Sequence, residues 1–280
     1  MPRIEISHKD RRNPASIWLH NHARNATSQF GEDGIIALAL ATIGTRNRWC
    51  VEAGAWDGVH FSNTHSLMRQ GWSGVFFEAN ADRFPALQET YRGNPRAHLV
   101  NAFVGFEGAN ALDRLLTHAE VPPDLDLLSL DIDGTDYWVW ESLIQYRPRL
   151  IVIEFNPSVP NDVLFVQDRD MRINQGSSLL ALTALGKQKK YELIAATECN
   201  AIFVTADQFP AFNIFDNDID AMYNPLHAGR VFQGFDGTIF TAGMPRLIWH
   251  QRAINAEDLQ VLPPSDRRYP DSITAKINCK

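Results

Sequence analysis

Two sets of residues have the types and spacing for chemistry. The first is Val51-Glu52-Ala53-Gly54-Ala55-Trp56-Asp57-Gly58, an E-x-G-x-x-x-G turn after the apolar approach Trp49-Cys50-Val51. A strand ending in an acid, then a glycine-spaced turn and a helix, is a nucleotide-cradling device. Gly54 and Gly58 lack a Cβ and let the backbone come close to a ligand. About twenty residues on, Gly74-Val75-Phe76-Phe77-Glu78 ends in a second acid, at the offset where a ribose hydroxyl pair is held. The second set is Asp131-Ile132-Asp133-Gly134-Thr135-Asp136, followed by Glu154-Phe155-Asn156. Asp131, Glu154 and Asn156, with Asp133 nearby, carry hard oxygens of the kind Mg²⁺ or Ca²⁺ takes. Period two sets Glu154 and Asn156 on one side of an extended strand. Three readings of these acids stand. They hold a cation, or Asp131 or Asp133 is a metal-free general base with Asp136 capping the next helix, or they are structural acids that hold backbone N–H groups.

Short apolar runs must position these residues. Strands are predicted over 48–53, 74–78, 97–104, 125–130 and 150–155, several rich in Val, Ile and Phe like strands buried on both faces. Helices are predicted between them, over 64–70, 81–92, 109–119 and 136–145. Such alternation implies crossovers and a parallel sheet with helices on both faces. A helix over 177–188 follows, then strands 191–197 and 201–205. The gap Glu198-Cys199-Asn200 is too short for a crossover, so these two pair antiparallel. Five parallel strands and a terminal antiparallel pair give an α/β fold of the class I methyltransferase type: Rossmann-like, seven-stranded, the last strand antiparallel. Asp131 and Glu154 then end the fourth and fifth strands, at the edge where such sheets bind ligands. Ser28 is placed to cap a helix running through Leu40, with Glu32 and Asp33 in its first turn. The polar stretch 156–176 is a long loop, functional or mobile.

Residues 1–27 read as an arm, 28–206 as the main domain and 207–280 as an appendage covering the substrate side of the sheet. At 280 residues, 45% hydrophobic and 21% charged, the chain has globular composition. It has no run of about 18 apolar residues, so no membrane span is expected. Its first residues lack a secretory apolar core. Cys50, Cys199 and Cys279 are odd in number and far apart, which argues against disulfides and zinc and for a cytoplasmic location. A net charge of −7 argues against nucleic acid as partner. The basic residues between Arg3 and Arg12 read as a solvated arm.

The chain resembles the FkbM-type S-adenosylmethionine-dependent methyltransferases. The resemblance lies in SQFGEDGII (28–36), VEAGAWDGVHFSNT (51–64), GWSGVFFEAN (71–80), SLDIDGTDYWVWESL (129–143) and VIEFNP (152–157). A looser likeness covers Phe235-Asp236-Gly237-Thr238 and Trp249-His250. The resemblance implies S-adenosyl-L-methionine as cofactor and O-methylation, often of a sugar hydroxyl in polysaccharide or natural-product pathways.

On that basis Gly54, Ala55 and Gly58 form the turn beneath the methionine part, and Glu52 reaches the cofactor's amino group. Ser62 and Asn63 open a helix whose N–H groups suit its carboxylate; Ser62 also serves as an ordinary cap. Glu78 takes the ribose, Asn101 lies near adenine, and Gln29 and Asp131 complete the cofactor candidates. Catalytic candidates are Asp131, Asp133 and His227. Metal candidates are Asp131, Glu154 and Asn156, for Mg²⁺ or Mn²⁺ that lowers the pKa of a poorly nucleophilic hydroxyl. His60, His227 and His250 read first as packed or surface histidines. Trp56, Tyr137, Trp138 and Trp140 supply an apolar wall or stack on a sugar, with Trp138 and Trp140 read first as helix packing. The partner is a small-molecule or glycan acceptor, with a homo-oligomer possible. The rivals are a phenolic or amino acceptor, and a catalytically decayed cofactor-binding regulatory protein.

Overall fold

Runs such as Leu127-Leu128 and Leu150-Ile151-Val152-Ile153, all without exposure, can only be covered on both faces. The computed structural model describes residues 4–6, 10–243 and 246–269; Arg3, Lys9 and Cys279 lie outside them. The main strands are β1 Trp49–Ala53, β2 Ser73–Phe77, β3 Ala97–Val100, β4 Leu127–Leu130, β5 Leu150–Glu154, β6 Tyr191–Ala196 and β7 Asn200–Thr205. They form one seven-stranded sheet in the order β3-β2-β1-β4-β5-β7-β6. β1 to β5 pair parallel, and β7 lies antiparallel to both β5 and β6. This is the Rossmann-like sheet of class I methyltransferases. The strand order reverses at β1 and β4, so the chain's crevice opens beyond the carboxyl ends of those two strands.

The helices are α1 Glu32–Ile43, α2 His65–Arg69, α3 Phe84–Thr90, α4 Leu112–His118, α5 Asp136–Ser142 and α6 Leu179–Gln188. Most are shorter than their apolar periodicity predicts. α1 begins after Gly31, whose φ of 100° reverses the chain, and not at Ser28. Ser28 instead closes a reciprocal pair: its Oγ accepts from Asp33 N at 3.0 Å and its N donates to Asp33 Oδ2 at 2.8 Å. β3 stops at Val100, short of the predicted 104, because Ala102 N folds back to Val100 O at 3.1 Å. The stretch 156–176 holds no helix or strand, as its composition predicts.

The chain divides into two compact units, 10–157 with 161–224, and 1–9 with 158–160 and 225–280. The first unit takes in residues 207–224, including α7 Ile219–Met222, and most of the expected arm. Leu19 of that arm has no exposure, and Trp18 Nε1 donates to Phe212 O at 3.0 Å. The second unit carries a hairpin of β8 Arg230–Gln233 and β9 Ile239–Ala242. Its Asp236-Gly237-Thr238 turn is closed by Thr238 N on Asp236 Oδ1 at 3.0 Å, which gives that segment a local structural role. Among the described residues no helix is long and apolar enough to cross a membrane.

Candidate active site

The two glycines expected to approach a ligand approach the protein itself. Gly54 has φ of 85°, and a Cβ there would stand 1.7 Å from the Asp131 carbonyl oxygen. Asp131 N in turn donates to Ala53 O at 3.1 Å, so the ends of β1 and β4 touch through backbone. Gly58 has φ of 77°, and its Cβ would meet the Tyr91 ring at 2.7 Å and Leu87 at 2.8 Å. It is glycine because α3 packs on it. Ala55 is buried, and its N donates to Phe77 O at 2.9 Å.

The helix opening after the turn is also closed. Glu52 is buried and accepts from Ser62 Oγ at 2.7 Å, Thr64 Oγ1 at 2.8 Å and Asn63 N at 2.8 Å. Ser62 Oγ accepts from Thr64 N at 3.2 Å and His65 N at 3.0 Å. Asn63 Nδ2 donates to Ser129 Oγ at 3.1 Å. The N–H groups of 63–65, expected to be open to a carboxylate, all have partners inside the chain. Glu52 clamps the 62–64 segment to β1. Burial raises its pKa to about 6, against the pull of the hydrogen bonds from Ser62, Thr64 and Asn63.

Glu78 follows β2 directly and is buried. Its Oε2 accepts from Trp56 N at 2.8 Å and its Oε1 from Asn80 N at 2.7 Å. Each oxygen keeps a lone pair, so Glu78 can accept from a pair of ribose hydroxyls. Asn101 Nδ2 donates to Glu78 O at 2.7 Å, which brings the third strand's end to the same place. Trp56 has φ of 48°, lies edge-on to His60 at 4.7 Å and carries Arg83 at 4.5 Å over its ring. Gln29 lies beside Cys199, whose Sγ is 3.9 Å from its Oε1.

The acids gather at the ends of β4 and β5. Asp131, Asp133 and Glu154 each bring a carboxylate oxygen within 4.8 Å of the others. Asp136 is buried, and it pins the preceding turn instead of capping α5. Its Oδ1 accepts from Ile132 N at 3.0 Å and its Oδ2 from Gly134 N at 3.0 Å. Asp133 sits at φ of 59°, and its carbonyl accepts from Asn174 Nδ2 at 2.9 Å. The long loop therefore grips the acid turn from outside. Gln167, 1% exposed, folds that loop: its Oε1 accepts from Gln175 N and Gly176 N, and its Nε2 donates to Ile173 O at 2.9 Å. Asn174 and Gln167 were not among the sequence candidates, because nothing in their spacing marks them. Asn156 Nδ2 donates to Gln175 O at 2.8 Å, which ties Asn156 to the same loop. His227 belongs to the other compact unit.

No Lys or Arg pairs with Asp131, Asp133, Glu154 or Asp136 among the described residues. Burial, then Asp136 and Asp133, pushes Asp131 up to about 8. Burial, then Asp131, pushes Glu154 well above the usual carboxylate range, with a hydrogen bond shared between the two side chains. Burial lifts Asp136 to about 6. Converging carboxylates of this kind are stabilised by protons or by a cation, and three hard oxygens suit Mg²⁺ or Mn²⁺.

No family model matches the chain, and no curated protein matches it at a significant level. Solved structures do resemble it. The N-terminal domain of EvdMO1 with SAH bound is 14% identical, over 62% of this chain and 80% of that one, with a TM-score of 0.42. A proposed caffeoyl-CoA O-methyltransferase from Staphylococcus aureus is 16% identical, over 66% and 87%, with a TM-score of 0.41. A proposed sarcosine dimethylglycine methyltransferase from Galdieria sulphuraria is 16% identical, with a TM-score of 0.38; the match covers 57% of this chain and 60% of that one. The fold class stands on the strand order itself.

Proposed function

We propose that the chain is an S-adenosylmethionine-dependent O-methyltransferase acting on a hydroxyl of a sugar or glycoside. The observation that carries this reading is the placement of two acidic features around the β1–β4 switch point. Glu78, with lone pairs left for a ribose, ends β2 on one side; Asp131, Asp133 and Glu154 converge on the other. A cofactor and an acceptor need such neighbouring stations.

S-adenosylmethionine, when bound, supplies a methyl group on a sulfonium, and a divalent cation bound by Asp131, Asp133 and Glu154 would lower the acceptor's pKa. In the transfer an O–C bond forms as the S–C bond breaks, and the hydroxyl proton leaves. In this reading Asp131 or Asp133, in its ionised form, receives that proton, a role worth about 10²–10⁴-fold. Asp136 and Asn174 hold the turn that presents them.

Calorimetry with S-adenosylmethionine tests the foundation: absence of binding at millimolar cofactor overturns the reading. Turnover of methyl glycosides, lost in EDTA and regained with Mg²⁺ or Mn²⁺, tests the acceptor and the cation. Turnover of catechols or amines in place of glycosides would replace the acceptor class, and full activity in excess EDTA would remove the metal.

A further inference from the structure

The carboxylate cluster has a neighbour of a different kind. Glu154, the last residue of β5, stands opposite Asn200, the first residue of β7. Directly opposed residues of an antiparallel pair project to the same face, with Cβ atoms about 4.5–5.5 Å apart. On the other side Leu130 stands opposite Ile153, and one step further that register sets Asp131 beside Glu154. Asp131, Glu154 and Asn200 therefore form a row across three adjacent strands.

Asn200 is 3% exposed. Its Nδ2 donates to Glu32 Oε1 at 3.3 Å, an oxygen that also accepts from Thr197 Oγ1 at 2.6 Å. The other Glu32 oxygen accepts from Phe30 N at 2.7 Å. Glu32 thus fixes which way the amide faces, and Asn200 Oδ1 is left without a partner. A buried acceptor left in that state is destabilising. Its row-mates are carboxyl groups, which can donate to it only while they hold a proton. Once they are ionised, what satisfies the amide oxygen and the carboxylates together is a cation.

We propose that Asn200 Oδ1 is a neutral oxygen ligand of a hard divalent cation held with Asp131, Asp133 and Glu154, and that Glu32 is the positioning residue that turns it there. This rests on the metal reading above. It deepens that reading by naming a fourth protein oxygen, and it gives Glu32 of the SQFGEDGII segment a task at the sheet edge. Three anionic oxygens and one amide oxygen form a Mg²⁺- or Mn²⁺-type set with positions left for an acceptor's hydroxyls.

The test is Mn²⁺ titration of the full chain, followed by the free-ion electron paramagnetic resonance signal. Calorimetry with S-adenosylmethionine and thermal melts run in parallel. Asn200→Ala should weaken Mn²⁺ binding by about tenfold or more while leaving cofactor affinity within about twofold. Asn200→Asp keeps an oxygen in place and should bind Mn²⁺ at least as tightly as the parent, which keeps the test decisive if Asn200→Ala folds poorly. A folded Asn200→Ala with parental Mn²⁺ affinity overturns the role of Asn200 alone, as does loss of binding in Asn200→Asp. A parent chain that binds S-adenosylmethionine but not Mn²⁺ overturns the metal reading and this inference with it. Failure to bind S-adenosylmethionine marks instead the failure of the methyltransferase reading.

Discussion

Asp126 and Asp131 stand at opposite ends of β4, and the fold treats them in opposite ways. Asp126 has no exposure and is fully answered: it accepts from Arg46 N, Asn47 N, Arg48 N and, at 2.6 Å, Arg149 Nη1. Arg149 also donates to Gly44 O and Ile43 O, which ties the end of α1 to the start of the strand. Asp131 has acids for neighbours and no cation from the protein. A carboxylate is retained inside a protein where the fold satisfies it or where something else does. Asp126 is the first case; Asp131, half-buried among acids, has no such answer from a cation of the chain among the described residues.

The largest effects should separate the two ends. Asp126→Ala leaves Arg149 buried without its partner and should cost about 3–5 kcal/mol in urea unfolding. Asp131→Asn removes a charge from a repelling group, so above pH 8 its melting midpoint should rise, while glycoside methylation falls by about 10²–10⁴-fold with cofactor binding retained. If Asp131→Asn destabilises the chain as Asp126→Ala does, the two ends are alike and the comparison fails. Unchanged turnover would clear Asp131 of a catalytic role.

The next effect is in pH. In the unfolded chain these carboxyls titrate at about 4. In the native chain Asp136 is lifted to about 6, Asp131 to about 8 and Glu154 well above the usual range. The folded state then binds more protons than the unfolded one between those limits, so stability falls as pH rises through that window. The protonated group's contribution is intact below about pH 4 and lost above the folded values. Millimolar Mn²⁺ should flatten the decline, since a cation replaces the protons. A melting midpoint that does not fall between pH 5 and 8 without metal would place the cluster's charge balance elsewhere.

The sheet was legible because buried parallel strands are continuous apolar runs, and the three-residue gap at Glu198-Cys199-Asn200 forces an antiparallel return. The positions of Asp131 and Glu154 were legible because the apolar runs before them fix where β4 and β5 end. The glycine turn is ambiguous for a physical reason: a missing Cβ serves a ligand and a neighbouring backbone equally, and at Gly54 one such neighbour is the Asp131 carbonyl. The same holds for Glu52, whose clamp is made by the hydroxyls of Ser62 and Thr64 and the backbone N–H of Asn63, ten to twelve residues away. Asn200 and Asn174 could not be read at all. One is placed by strand register and the other by a loop that Gln167 folds through contacts no periodicity encodes.

The smallest effect sharpens what holds the open end of β4 in shape. Asn174 is exposed and donates one neutral hydrogen bond, to the carbonyl of Asp133. Asp133 is held at φ of 59°, a conformation that costs a non-glycine residue about 1–3 kcal/mol and persists only when its surroundings insist. Asp136 insists from within, through Ile132 N and Gly134 N, and Asn174 from without. Asn174→Ala removes the outer grip alone. It should lower kcat/KM for a glycoside by about fivefold, the worth of one such bond of about 1 kcal/mol, and leave the melting midpoint nearly unchanged. Asn174→Ser, which keeps a donor, should recover part of the loss. A loss as large as that of Asp131→Asn would mean that the loop itself carries a reacting group, and no loss would mean that Asp136 alone sets the turn.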